Sequence, residues 1–262
     1  MGRLVEIIEA DWTPPPGVHA CVTTRCGGVS HPPFDHLNLA THVGDDPEAV
    51  AENRARLRAL LALPSEPLWL NQVHGVTVTD ERSATSCSGE CATADAAYTD
   101  QPGVVLAVLT ADCLSVVFAS ADGRELAVAH AGWRGLAAGV LESTLARFKA
   151  LPESIQAWIG PSIGPEQFEV GEEVRSAFMV VLPEAQAAFA PTGEAGKYLA
   201  DLPALARQRL MRAGVKRISG GDLCTVRSPD LFYSYRRDGG RTGRMATLIW
   251  RHAQSAPTCD IE

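Results

Sequence analysis

Three apolar runs of strand length follow one another between Gly103 and Ala129, and they decide what kind of core this chain can build. Val104–Leu109 and Ser115–Ala119 carry almost nothing polar, and Glu125–Ala129 follows through the turn Asp122-Gly123. A strand with one wet face alternates apolar and polar residues, whereas an unbroken apolar run reads as a buried strand. None of the runs approaches the ~20 residues that span a bilayer, so they belong to a folded core. Helical patterns flank them. Asp46–Leu63 predicts a helix with Asp46 as its cap, Pro47 in its first turn and an apolar stripe of Val50, Leu57, Leu60 and Leu61. Gly135–Lys149 predicts a second, turning Ala137, Val140, Leu141, Leu145 and Phe148 inward. Asp201–Ala213 predicts a third, capped by Asp201 and closed by Gly214. Strands and helices interleave without a strict βαβ rhythm. The expected fold is therefore α+β, a single domain over residues 1–262 with mixed β-sheets layered with helices.

With 262 residues, 46% of them hydrophobic and 21% charged, there is material for such a core. A formal net charge of -8 argues against a nucleic-acid partner, although a local cluster of arginines can still hold a small anion. The opening Met1–Asp11 carries Glu6, Glu9 and Asp11 and lacks the basic leader and apolar stretch of a secretion signal. The seven cysteines are Cys21, Cys26, Cys87, Cys91, Cys113, Cys224 and Cys259. Their odd number fits reduced thiols in a cytoplasmic protein without a membrane partner. Cys87 and Cys91 share the polar stretch Ser83–Thr93, which reads as a loop, and no second such pair completes an all-cysteine zinc site.

Chemistry concentrates in Asn71-Gln72-Val73-His74-Gly75, Thr110-Ala111-Asp112-Cys113 and Ala129-His130-Ala131-Gly132-Trp133-Arg134-Gly135. Each places a metal-capable side chain at the edge of an expected strand. If the second and third strands form a hairpin, Cys113 and His130 lie at the same end of it. Two imidazoles and a thiolate suit zinc, and three protein ligands leave a fourth position for water, as a catalytic site requires. Spacing alone also allows a plain packing role for each residue. Asp112, next to Cys113, is a candidate proton carrier or a hydrogen-bonding support.

The HAGWRG segment runs from strand through a glycine turn into a helix, so backbone N–H groups near Gly132 and the guanidinium of Arg134 are candidates for phosphate. The alternative is a tight turn with a solvent-facing arginine. Arg236, Arg237, Arg241 and Arg244 crowd a glycine-rich stretch, with Arg241 the chosen substrate contact. Arg25 in Thr24–Ser30 and Asn38 in Phe34–Asp45 are further candidates, with His42 beside them as a hydrogen-bonding group for ribose or base.

The segments HLNLATHVGD, NQVHG, ADAAYTD, LTADC, AHAGWRG, WIGPSIGPEQFEV, DLCT and FYSYRRDGGRTGR, in that order from about Thr23 to Trp250, resemble the YfiH-like proteins. That family is also called laccase-domain, polyphenol-oxidase-like or peptidoglycan-editing-factor. The resemblance implies a zinc site at His74, Cys113 and His130, an α+β fold and a monomer. It further implies phosphorolysis of adenosine, inosine, guanosine and methylthioadenosine, with adenosine deamination as a second activity. Inorganic phosphate and purine nucleosides would be the partners, and the Ser83–Thr93 loop matches no motif of the family.

Three other readings stay open. Two histidines and a cysteine are also the equatorial set of a copper site, so Cu2+ and a polyphenol oxidase are alternatives. Yet the seven histidines include no His-X-His pair from which a multinuclear cluster is readily built. Cys113 with His130 could instead serve a hydrolase or deamidase acting on cell-wall precursors. The third reading is not an enzyme but a nucleoside-binding or partner-regulating protein with structural zinc, which a fourth protein ligand, Cys224 or His42, would favour.

Overall fold

The computed structural model describes residues 4–85 and 91–252, and in it the apolar runs are strands of two sheets packed face to face. The first sheet runs in the order Ile7–Glu9, Val18–Thr23, Met245–Arg251, Val105–Thr110, all antiparallel. The second runs Arg217–Gly220, Ile155–Ile159, Leu114–Ser120, Leu126–Ala131, Ala96–Thr99, Val78–Asp80. Its inner pairs are antiparallel and its two outer pairs parallel, so it is the mixed sheet expected.

The burial explains the unbroken apolar runs. Val22, Leu106, Val108 and Ile249 of the first sheet meet Val117, Leu126 and Val128 of the second in one cluster. The outer face of the first sheet, with Ala107, Leu109 and Leu248, packs under Leu57 of the Pro47–Leu61 helix. The outer face of the second, with Val116, Phe118 and Ala129, packs under Leu136, Leu141 and Leu205. Each central strand is therefore covered twice, and the layers run helix, sheet, sheet, helices. Emptying such a position, as in Phe118→Ala, costs about 3–5 kcal/mol.

Helix caps follow the sequence closely. Asp46 accepts from the Glu48 N–H at 3.0 Å, and Asp201 accepts from the Ala204 N–H at 2.9 Å. The expected helix over Gly135–Lys149 is instead two short ones, Trp133–Ala138 and Val140–Leu145. Gly139, at φ +103°, breaks them by closing the first turn onto the carbonyls of Gly135 and Leu136. The stripe on the first helix also differs. Leu60 is 51% exposed, whereas polar Asn53 is fully buried. Asn53 donates to Ser30 Oγ and to the carbonyls of His36 and Asn38, and accepts from the Val29 N–H, so its burial is compensated. Among the described residues no helix is long and apolar enough to cross a membrane.

Candidate metal centre and cavity

Leu114–Ser120 and Leu126–Ala131 are a hairpin, with Ser115 opposite His130 and Leu114 opposite Ala131. That register sets Cys113, one residue before the first strand, beside His130 on the second. Before Cys113 the chain crosses from the first sheet to the second in only three residues, Ala111-Asp112-Cys113, with Asp112 at φ +86°. His74 approaches from a loop after the short strand Leu70–Asn71 and also holds a left-handed backbone, φ +61°. Gln72 anchors that loop. Its amide donates to the Leu109 carbonyl at 2.8 Å and accepts from the Leu109 N–H at 2.7 Å, acting as one more rung on the sheet edge.

The donor atoms of His74, Cys113 and His130 lie within 4.8 Å of one another. Cys113 Sγ is 3.8 Å from His74 Nε2, and the two imidazoles cross edge to face with centroids 4.8 Å apart. Gly132 makes this approach possible, because a Cβ there would lie 2.8 Å from His74 Cδ2 and 3.1 Å from Cys113 Sγ. Burial alone would push the Cys113 thiol up, but the hydrogen bonds and charges of His130 and His74 bring it down to about 6. His130 moves the other way. Burial disfavours its cation, and Asp95 with the Cys113 thiolate outweighs that.

Asp95 is the support of the candidate cluster that spacing did not single out, although it lies in the quoted ADAAYTD segment. Fully buried, it accepts a hydrogen bond from His130 Nδ1 at 2.8 Å through Oδ1, which leaves Nε2 facing the cluster. The same carboxylate accepts from the backbone N–H groups of Val73, His74 and Gly75, at 3.3, 2.8 and 2.6 Å. Burial opposes its charge, yet the bonds from His130, Gly75 and His74 hold it below the usual carboxylate range. One side chain thus orients two of the three donors. Nothing in the sequence marks it beyond an aspartate ahead of an apolar strand.

The cluster lines a cavity of about 480 Å³. Trp133, Phe168 and Tyr235 supply aromatic faces to its wall, and Arg134, Arg236 and Arg244 supply cations. Arg134 lies over the Trp133 ring, Arg236 over Phe168 and Arg244 near Tyr235. His42 and Asp112 also reach the lining. Burial and the cations of Arg244 and Arg54 hold the His42 imidazole below its usual value.

The other sequence candidates are spread more widely. Arg25 does not line the cavity; it donates to the Asp35 carboxylate and to the carbonyls of Asp35 and Pro229. Asn38 is fully buried, bonding Ala40, Asp45 and the Arg244 N–H, and so shapes the loop beneath Arg244. Arg241 is exposed over Phe34, outside the lining, whereas Arg236 and Arg244 of the same stretch are inside it. Arg134 is exposed at the mouth, and the helix behind Gly132 is only six residues long, so its dipole adds little to the guanidinium. Asp112 has both oxygens engaged, by Thr225, Ser234 and the Arg236 N–H. Cys224 accepts from the Gly164 N–H in a separate hollow, and neither it nor His42 joins the three-donor group among the described residues. Cys91 is an exposed free thiol; Cys87 lies outside the described residues.

The same architecture recurs in solved structures. A Neisseria meningitidis protein, NMB0706, superposes with a TM-score of 0.89 at 48% identity, covering 94% of this chain and 99% of that one. A Bacillus licheniformis protein, YfiH, gives a TM-score of 0.83 at 32% identity, covering 89% and 92%. Among sequences, the purine nucleoside phosphorylase YfiH of Escherichia coli is 55% identical over 94% of this chain and 98% of its own length. The purine nucleoside phosphorylase of Haemophilus influenzae is 47% identical over 94% and 99%. Residues 19–252 match the family described as multi-copper polyphenol oxidoreductase laccase, and with its fold, its three-donor cluster and these relatives the chain belongs to that family.

Proposed function

We propose that this protein is a zinc-dependent purine nucleoside phosphorylase acting on adenosine, inosine, guanosine and methylthioadenosine, with adenosine deamination as a second activity. The observation that carries the reading is the joining of two kinds of wall in one cavity. Three borderline-soft donors within 4.8 Å share one cavity lining with three aromatic rings and three arginines. The relatives named purine nucleoside phosphorylase support the same reading.

The donor set suits zinc: two imidazoles and a thiol already biased to its anion, with no fourth protein donor among the described residues. His74, Cys113 and His130 would hold the ion, and Asp95 and Gly132 keep them in place. Zinc bound there would supply Lewis acidity and positive charge to the cavity. The chain's own residues do the rest. Trp133, Phe168 and Tyr235 present flat faces of the kind on which a purine stacks. Arg236 and Arg244 neutralise phosphate and hold one of its oxygens against the anomeric carbon, and Arg134 closes the mouth. That oxygen forms the new bond to C1′ as the bond from C1′ to the purine nitrogen breaks. The electron pair leaves with the base, and ribose-1-phosphate remains. The reduced thiols of Cys21, Cys91, Cys113 and Cys224 suit a cytoplasmic enzyme, and we take it to act as a monomer.

The test is a product assay on metal-analysed protein with inosine or adenosine, with and without phosphate. Phosphate-dependent release of hypoxanthine or adenine with ribose-1-phosphate, at about one zinc per chain as catalytic three-ligand sites hold, is the expected result. Zinc present with no base released would overturn it. One observation favours a second reading: Cys113 Sγ at 3.8 Å from His74 Nε2 and bonded to His130 is also the arrangement of a thiol nucleophile with its base. A hydrolase of that kind would work without metal and die on alkylation of one thiol. Copper in the purified protein together with phenol oxidation would favour the oxidase.

A further inference from the structure

We infer that Asp112 is a positioning residue that sets the distance between the metal-binding wall and the phosphate-binding wall, and not a proton carrier; the inference rests on the phosphorylase reading above. Its place in the chain is unusual. It precedes Cys113 in the short crossing between the two sheets, in a left-handed conformation at φ +86° that few non-glycine residues adopt. Such a conformation persists where neighbouring contacts over-determine it. Four do so here. The Asp112 carbonyl accepts from the Ile163 N–H at 2.9 Å. Oδ1 accepts from Thr225 Oγ1 at 2.5 Å, and Oδ2 accepts from Ser234 Oγ at 3.0 Å and the Arg236 N–H at 2.7 Å.

These partners lie far away in sequence, and two of them, Ser234 and Arg236, belong to the arginine-bearing stretch. Arg236 is pinned by its own backbone, so its guanidinium, which donates to the Glu169 carbonyl, has a fixed origin. Ser234 Oγ accepts in turn from the Arg237 N–H, and Arg237 donates to the Thr225 carbonyl, closing the network. Thr225 and Ser234 are wholly buried and Asp112 is only 8% exposed. A carboxylate with three donors on its two oxygens and almost no contact with solvent is arranged as a clasp. A proton carrier needs a free lone pair facing the substrate.

The test compares Asp112→Asn, Ser234→Ala and Thr225→Val with the parent protein, zinc-loaded and assayed for phosphate-dependent inosine cleavage. Metal content and the rise in melting temperature given by inorganic phosphate are measured alongside. Parent protein that shows no phosphate-dependent cleavage defeats the phosphorylase reading itself, before any variant is compared. Given an active parent, the clasp predicts that all three variants keep zinc, raise the phosphate KM about tenfold or more, lower kcat less, and lose most of the phosphate-induced stabilisation. An amide in place of the Asp112 carboxylate has a single accepting oxygen, so it cannot serve Thr225 on one side and Ser234 with Arg236 on the other. The other two variants leave the carboxylate intact. A fall in kcat confined to Asp112→Asn, with phosphate KM and phosphate stabilisation at parent values in all three, would overturn the inference and restore the proton carrier. If Asp112→Asn does not fold, Ser234→Ala and Thr225→Val decide alone: unchanged phosphate KM in both overturns it.

Discussion

Cys113 and His130 sit at the end of an antiparallel hairpin whose register leaves them little freedom, whereas Arg236 and Arg244 belong to the stretch between Phe232 and Met245, which has no strand of its own. In the first wall Cys113 and His130 are placed by backbone hydrogen bonding common to any sheet, and Asp95 braces His130 and the loop that carries His74. The second is held by side chains, chiefly carboxylates. Asp112 fixes Arg236, and Asp238 gathers the Ser234 N–H, Thr242 Oγ1 and Arg237. Burial works against the Asp238 charge, and its hydrogen bonds from Arg237, Thr242 and Ser234 hold the carboxyl below its ordinary range. A site can therefore be half architecture and half tethering, and the halves should fail differently: damage to the hairpin end removes the metal, and damage to the tethers loosens the anion.

The largest separation is expected from Cys113→Ala. It should abolish zinc binding and turnover while leaving the fold, read by metal analysis, product assay and circular dichroism; full activity would refute the assignment of the cluster. In metal-free protein the same thiol should differ sharply from Cys21. Cys113 is lowered to about 6, so its thiolate persists above that pH, and alkylation should slow as pH falls through it. Cys21, buried and pushed up to about 12, should stay unmodified at neutral pH. Peptide mapping after iodoacetamide at several pH values reads both.

Next come the supports of the first wall. Gly132→Ala drives a methyl group against His74 and Cys113, and Asp95→Asn weakens the hold on His130 and on the Val73–Gly75 backbone. Each should cost roughly 10–100-fold in zinc affinity by chelator competition, the range typical of lost supports around a metal. On the second wall, Arg244→Ala should leave zinc in place and raise the phosphate KM by about tenfold, the worth of one charged hydrogen bond. Arg241→Ala, outside the cavity, should stay within about twofold of the parent, as surface substitutions do. Equal effects of the two arginine changes would erase the distinction between lining and surface.

The two walls also differ in how legibly the sequence announces them. The hairpin end can be read because strand patterning, the Asp122-Gly123 turn and the rarity of His and Cys at strand ends all point to one place. The fold is readable for a related reason: runs such as residues 105–109 and 116–119 are apolar throughout because each sheet is covered on both faces. The arginine wall cannot be read this way. Four arginines lie within nine residues, Arg236 to Arg244, and only tertiary tethers turn Arg236 and Arg244 inward while Arg241 stays outside. Arg25 and Asn38, each plausible as a substrate contact, are consumed by loop structure. Asp95 is invisible for the same reason, since its role exists only once residues 73–75 and His130 have been folded around it. Gly139 shows the limit for helices: periodicity carried through it, but its left-handed backbone divided the helix.

Anomalous diffraction at the zinc edge, from crystals grown with zinc and phosphate, tests most directly that these walls make one open metal site. The account predicts a single ion on His74, Cys113 and His130, no fourth protein ligand, and phosphate on Arg236 and Arg244 in the same cavity. A metal closed by a fourth side chain, or an ion bound elsewhere with the three donors bare, would contradict it.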